Sequence, residues 1–216
     1  SNYLYFYDFG DYQIIGASPE SLVSVKQGQV TTNPIAGTRP RGKDEREDKA
    51  LAKELLADEK EVAEHRMLVD LGRNDIGKIA QNKSVEITKY MEVEYFRYVM
   101  HLTSVVRGQL LPQLTAMDAL KSTLPAGTVS GAPKIRAMKR IYELEQEKRG
   151  VYAGAIGYLS TTGDMDFAIA IRTMVLKNGR AYVQAGAGIV YDSIPTNEYQ
   201  ETINKAKSMT KIGEMQ

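Results

Sequence analysis

Residues 151–190, VYAGAIGYLSTTGDMDFAIAIRTMVLKNGRAYVQAGAGIV, decide the fold class. Three β-prone runs, 151–159, 165–176 and 180–190, are separated by Thr161-Thr162-Gly163-Asp164 and by Lys177-Asn178-Gly179-Arg180. Short polar connections, Asn-Gly above all, join antiparallel neighbours. The reading is a three-stranded meander. Its middle run is apolar on both faces, so both should be covered. Arg172 shares a face with Ala168 and Ala170. A buried guanidinium needs an anion or a carboxylate. The small neighbours leave room for a ligand to be that anion, and an internal salt bridge is the alternative.

The third run leads into QAGAGIVYDSIPTNEYQE, residues 184–201, which reads as a strand, a turn and the start of a helix. Gly186 and Gly188 fall on one strand face. Bare glycines there mark a place where something approaches the backbone closely. Pro195 suits a first helical turn. Glu198 and Glu201 follow at i, i+3 and share a helix face. Glutamates in a first turn also complement the helix dipole, which is the plainer explanation. Glu61 and Glu64 repeat the spacing on a second predicted helix.

Toward the N-terminus, residues 3–9 with 12–17, and 21–26 with 29–32, read as two hairpins. Residues 33–42, NPIAGTRPRG, read as a Pro/Gly-rich loop. A charged helix follows over 44–56. Asp58 to Glu61 has the form of a capping box, opening a helix that runs to about Leu71 and stops at Gly72 or Asn74. That box is the structural explanation for Glu61. Residues 84–88 form a short strand and 98–107 a longer one, with His101 on the face of Val99, Thr103 and Val105. A lone strand histidine is more often a core residue than a catalyst. Thr115 to Asp118 caps a helix to about Thr123. LPAGTVSGAPK, 124–134, is a Gly-rich connection able to cradle an anion, or simply a tight turn. Pro133 fits the first position of a helix ending near Lys148, with Gly150 as its stop. The last helix runs from about Thr196 to Ile212. Tyr199, Ile203, Ala206 and Met209 form its apolar stripe, with Glu198, Glu201 and Lys205 on another face.

Composition narrows the chemistry. The 216 residues carry 28 Lys+Arg against 27 Asp+Glu, a formal net charge of +1. Phosphate-driven nucleic-acid binding would need a basic excess. With no cysteine, disulfide frameworks and thiolate metal sites are excluded. No apolar run approaches the ~20 residues of a membrane helix, and no signal peptide is visible. A cytoplasmic location is expected. The chain opens directly in a strand, which suggests a piece of a longer protein.

If the two Glu-bearing helices face each other, four carboxylates converge. Two like charges 4 Å apart repel by about 4 kcal/mol at an effective dielectric near 20. Such a cluster needs a cation or raised pKa values. All-oxygen ligands favour Mg²⁺ over zinc. Arg172, Lys205, the Gly186/Gly188 backbone and the 127–134 loop receive anions. The implied substrate is a small dicarboxylate.

PIAGTRPRG (34–42), EHRMLVDLGRND (64–75), HLTSVVRGQL (101–110), LPAGTVSGAPKIRAM (124–138), YAGAIGYLSTTGDMDFAIAIRT (152–173) and QAGAGIVYDSIPTNEYQET (184–202) resemble, in order, the motifs of the chorismate-utilising enzymes, and within them the anthranilate synthase branch. The resemblance implies an α+β fold, mainly antiparallel sheet with flanking helices, in one catalytic domain over 1–216 that lacks an N-terminal part. It implies a Mg²⁺-dependent lyase converting chorismate and ammonia to anthranilate and pyruvate on the route to tryptophan, with a glutamine amidotransferase partner supplying the ammonia. By the same resemblance Glu64 and Glu201 are direct Mg²⁺ ligands, and Glu61 and Glu198 hold its waters. Tyr152, Arg172 and the Gly186–Ala187–Gly188 backbone take the enolpyruvyl carboxylate. Lys205 and the metal take the ring carboxylate, Thr38 and Thr128 line the ring pocket, Glu20 is the general acid, and His101 serves pyruvate elimination. Glu20 could act so near neutral pH only if its pKa were raised.

Aminodeoxychorismate synthases are the nearest rival; many carry a nucleophilic lysine where this chain has Ala36. Water-adding relatives are disfavoured by the PAGTVSGAPKIRAM run. A non-catalytic binding module is the rival from another class. A sheet lacking its first strands would expose edges, so reduced stability, self-association and loss of activity are expected of a fragment.

Overall fold

The structure is a computed structural model and describes residues 2–210. Two antiparallel sheets carry the chain. The smaller has the order β1-β2-β10-β11, from β1 (Tyr3–Asp8), β2 (Gln13–Ser18), β10 (Thr173–Lys177) and β11 (Arg180–Val183). The larger runs β5-β7-β4-β3-β9-β8, from β3 (Ser21–Lys26), β4 (Gln29–Thr32), β5 (Ile35–Pro40), β7 (Val99–Gln109), β8 (Ala155–Leu159) and β9 (Met165–Ile169). The remaining strand, β6 (Glu86–Tyr95), pairs with β7 over residues 100–107. That edge being taken, β4 and β5 share the other edge of β7 end to end. Both hairpins expected near the N-terminus form, β1 with β2 and β3 with β4.

The expected meander is corrected. Residues 165–176 are not one strand but two, in different sheets. The chain breaks at Ala170–Arg172, where Arg172 takes the left-handed conformation at φ 51°. Directly alongside, β2 passes into β3 through Ser18–Ser21, so two antiparallel segments cross between the sheets together. Backbone bonds fasten the crossing: Ala17 N–H donates to the Arg172 carbonyl at 3.1 Å, and Ile169 N–H to the Glu20 carbonyl at 3.0 Å. An all-apolar run hid the break, because each half is buried in its own sheet. The third strand also stops early, at Val183, and 184–190 is irregular.

Four further boundaries differ. Residues 35–40, expected as loop, form β5; the positive φ of Gly37 (72°) sits at a register shift against β7 that absorbs the glycine. Helix α2 (Glu59–Gly77) continues past Gly72. A Cβ there would lie 3.1 Å from Thr32 Oγ1 and 3.6 Å from Pro34, so this glycine serves close helix–sheet approach and not helix termination. Strand β6 extends to Tyr95. Helix α5 (Lys134–Leu144) stops short of Lys148, with Pro133 as its N-cap. By contrast α1 (Glu45–Ala57) and α3 (Ala116–Thr123) lie where expected, and the Thr115/Asp118 capping box is present. Pro195 opens α6 (Pro195–Thr210); the expected end at Ile212 lies outside the described residues. On α6 Met209 is buried, but Tyr199 is exposed and does not belong to the apolar stripe.

The main core lies between the larger sheet and α2–α3. Val23, Val30, Val106 and Met165 pack against Val69, Ile76, Ala119 and Leu120. A second cluster joins Ala52 and Leu55 of α1 to Met100 and Leu102 of β7. At the far edge Gly157 allows close approach of β8 to β9. A Cβ there would overlap the Asp166 carbonyl oxygen and stand 2.7 Å from Phe167 Cα. Backbone cannot yield cheaply, so Gly157→Ala is expected to cost about 2 kcal/mol. The check is a lower urea midpoint at unchanged m value.

Candidate functional site

The crossing between the sheets leaves irregular backbone over a packed scaffold, and several of the expected residues gather there. Tyr152 precedes β8 and is held at the break by Ala153 N–H donating to Ala170 O and Ala170 N–H to Gly154 O. Glu20 lies on the neighbouring crossing segment, facing Thr128 of the short helix α4 (Gly127–Ser130). The irregular 184–190 segment brings Gly186 against Tyr152, whose hydroxyl lies 2.9 Å from where a Cβ of Gly186 would sit. Ala187 is half-buried between the two glycines. From α6, Lys205 forms an ion pair with Glu201 and donates to the Gly186 carbonyl at 3.1 Å. Arg172 donates from Nη1 to the Lys205 carbonyl at 2.9 Å, fixing the guanidinium between α6 and the crossing.

Charge is unevenly solvated here. Burial pushes the Glu20 carboxyl up to about 7, although the Thr128 hydrogen bond and the Lys205 ammonium pull the other way. Burial lowers the Arg172 pKa and raises that of Tyr152. The Glu64 carboxyl is pushed up, first by burial and then by the like charges of Glu61 and Glu201, with Lys60 and Lys205 opposing. Glu64, Glu61 and Glu201 are therefore electrostatic neighbours. A Cβ on Gly188 would lie 3.9 Å from Glu64 Oε1, so that glycine borders the same place.

The four carboxylates do not converge as one ligand set. Among the described residues no three His, Cys, Asp or Glu are grouped closely enough to hold a metal ion. Arg39 draws Glu61 aside at 3.5 Å, which also overturns the capping-box reading, since only Asp58 caps α2. Lys205 takes Glu201. Glu198 is half-buried at the head of α6. Mg²⁺ needs only one or two carboxylates when waters and substrate oxygens complete its shell. The crowded like charges of Glu64 and Glu201 fit that demand.

Thr38 and His101 form a second group, on paired strands. Nδ1 of His101 lies 3.0 Å from both Thr38 Oγ1 and the Gly37 carbonyl. A carbonyl only accepts, so this contact assigns the proton to Nδ1 and leaves Nε2 as a base in the neutral ring. Gly37 connects the groups, since its Cβ would lie 3.3 Å from Glu61 Oε2.

Beneath the site is a cavity of about 60 Å³, lined by Glu20, Thr32, Leu68, Asp75 and Thr128 among others. It has room for a water or two and is too small for a drug-sized ligand, which needs roughly 300 Å³ or more. Two buried features escaped the sequence reading. His65 is fully buried, its Nε2 2.6 Å from Ser104 Oγ, and burial lowers its pKa to about 4. Lys134 and Asp75 form an ion pair at 2.6 Å, both nearly inaccessible. Helical spacing from His65 to Leu68, Val69, Gly72 and Ile76 was the available signal for the first.

An antiparallel α+β scaffold with this junction defines a known class. A family model of chorismate binding enzymes matches residues 1–211, and the chain belongs to that family. It is similar in particular to anthranilate synthase component 1. It is 64% identical to that protein of Lactococcus lactis, over 99% of this chain and 47% of the relative. It also matches the crystal structure of anthranilate synthase component I from Streptococcus pneumoniae at 83% identity and a TM-score of 0.90, over 97% of this chain and 46% of that one. The menaquinone-specific isochorismate synthase of Escherichia coli is more distant, at 28% identity and a TM-score of 0.83, over 93% and 46%. The chain thus spans a little under half the length of the curated relatives it matches.

Proposed function

We propose that the chain carries the residues of an anthranilate-forming lyase, converting chorismate and ammonia to anthranilate, pyruvate and water in tryptophan biosynthesis. The observation that carries this reading is the junction itself. An acid that keeps its proton to about pH 7, Glu20, lies within electrostatic reach of the Lys205 ammonium. Arg172 and Tyr152 stand across a bare glycine backbone. A dicarboxylate is received by Lys205 at its ring carboxylate and by Arg172, Tyr152 and the Gly186–Gly188 backbone at its enolpyruvyl carboxylate. Ammonia adds to the ring as its hydroxyl departs, and Glu20 gives the proton that makes the leaving group water. Pyruvate then leaves. The ring loses the proton at the amine-bearing carbon, the enolpyruvyl methylene gains one, and His101 Nε2 is the base nearest this role. Glu64 and Glu201 would hold Mg²⁺, with Glu61 and Glu198 toward its waters; when bound, the cation neutralises the ring carboxylate and the developing charge.

Ammonia would come from a glutamine amidotransferase partner, and the location would be cytoplasmic. Among the described residues no helix is long and apolar enough to cross a membrane. The exposed Leu4 and Phe6 on the outermost strand of the smaller sheet support self-association of the chain by itself. Ala36 favours anthranilate over aminodeoxychorismate, since a methyl group cannot act as the ring nucleophile. The test is incubation of the full-length enzyme with chorismate, ammonia and Mg²⁺, with product mass measured. Anthranilate is expected; aminodeoxychorismate or isochorismate would overturn the assignment, and binding of benzoate and Mg²⁺ without turnover in the full-length enzyme would favour a binding module.

A further inference from the structure

The segment between α3 and α5, residues 124–133, carries Thr128, and Lys134 closes its base. The ammonium donates to the carbonyl of Thr123 at 2.9 Å, so the residues flanking the segment on either side are joined directly. The same ammonium donates to Asp75 Oδ2 at 2.6 Å, with the lysine 9% and the aspartate 6% exposed. Asp75 cannot swing away. Lys78 takes its other oxygen at 3.0 Å, and Ser122 Oγ donates to its backbone carbonyl. Inside the segment, Gly131 N–H donates to Gly127 O at 2.7 Å and Arg149 Nη1 to Val129 O at 2.6 Å. Asp75, Thr128 and Glu20 line the one cavity.

A buried ion pair is weak support for stability, because an apolar pair of similar volume often serves as well. This pair does something apolar side chains cannot: three directed N–H donors let one side chain tie a loop base to a helix. We propose that Lys134 is a positioning residue, which closes the 124–133 segment on Asp75 and so holds Thr128 beside Glu20 on the wall of the cavity the two share. The proposal deepens the reading of Glu20 as the acid and rests on it. It adds a residue that touches neither substrate nor acid.

The groups facing Glu20 are Thr128 from α4, Lys205 from α6 and, across the cavity, Asp75 from α2. Removing Lys134 alone would leave the buried Asp75 charge beside Glu20 with only the exposed Lys78 as its ionic partner, so the informative variant is Asp75→Asn/Lys134→Met. The measurement is the ¹³C titration of the Glu20 carboxyl in this chain without substrate, its resonance assigned by its loss in Glu20→Gln. The Thr128 bond favours the carboxylate. Its loss should make Glu20 hold its proton to a pH about one unit higher, the scale of one charge-assisted hydrogen bond. Thr128→Val should give the same displacement directly, and Lys134→Arg should give none. Should the first double variant fail to fold, Asp75→Asn/Lys134→Gln replaces it, with the same expected direction. An unmoved titration in a folded double variant, or in Thr128→Val, overturns the proposal. Because no turnover is read, failure here is distinct from failure of the proposed reaction, which Glu20→Gln tests through product formation.

Discussion

Glu20→Gln is expected to lower anthranilate formation by roughly 10²–10⁴-fold, the range for loss of a positioned general acid. Glutamine keeps the shape and a hydrogen bond to Thr128 but has no proton to give the departing hydroxyl. The native enzyme should carry the signature of that acid. Glu20 must be protonated to act, so kcat/KM should fall as pH rises through about 7, and this limb should vanish from the residual activity of the variant. Stability gives a second readout of opposite sign. Burial raises the folded-state pKa above the ordinary 4.5, so the native state binds the proton more tightly than the unfolded chain. Stability is therefore lost as pH rises from about 4.5 to 7, and the full penalty remains above that. Glu20→Gln removes the penalty and should gain about 2 kcal/mol at pH 8.5 and far less at pH 5, read from urea midpoints. A variant that loses turnover without gaining alkaline stability would show that the carboxyl does not lie in a desolvating environment.

That opposition explains which parts of the site the sequence exposed. Local patterns announced local structure. The hairpins around Gly10 and Gly28, the box at Thr115 and Asp118, and Pro195 at the head of α6 are decided by neighbours in sequence, and the structure has them all. The resemblance supplied the names of the site residues, and contacts link Glu20, Thr128, Tyr152, Arg172, Gly186 and Lys205 where the sheets join. What the sequence could not show is the join. MDFAIAIRTMVL carries no proline or glycine, and its bend at Arg172 is imposed by β2 and β3 bending beside it. Gly72 was misread for a related reason. A glycine that stops a helix and a glycine that lets a helix lie on a sheet look alike until Thr32 and Pro34 are seen beneath it. Glu61 was ambiguous because its partner Arg39 comes from a strand that had been taken for a loop. Asp75 and Lys134, far apart in the chain, left no periodic trace.

Glu64→Gln and Glu201→Gln should each weaken Mg²⁺ binding by roughly 10²–10³-fold, since removing one carboxylate from a two-carboxylate site forgoes an attraction of order 4 kcal/mol. Glu198→Gln should do much less, because Glu198 is not among the charges that press on Glu64. Without metal the signs reverse. Glu64 is crowded by burial and by Glu61 and Glu201, so neutralising it should leave the metal-free protein at least as stable as before. A ligand at a hundred times its Kd adds about 2.7 kcal/mol of stability. The native chain should gain that on saturation with Mg²⁺, while Glu64→Gln at the same concentration should gain almost nothing. Lys205 makes the competition visible. Its ammonium already holds Glu201, so Lys205→Met frees that carboxylate and should tighten Mg²⁺ binding even as it removes the cation proposed for the ring carboxylate. Metal affinity and chorismate KM would then both move, the first toward tighter and the second toward weaker binding. Calorimetry of Mg²⁺ on the four variants decides the matter: equal affinity in the native chain, Glu64→Gln and Glu201→Gln would place the ion elsewhere and leave these carboxylates as partners of the lysine alone.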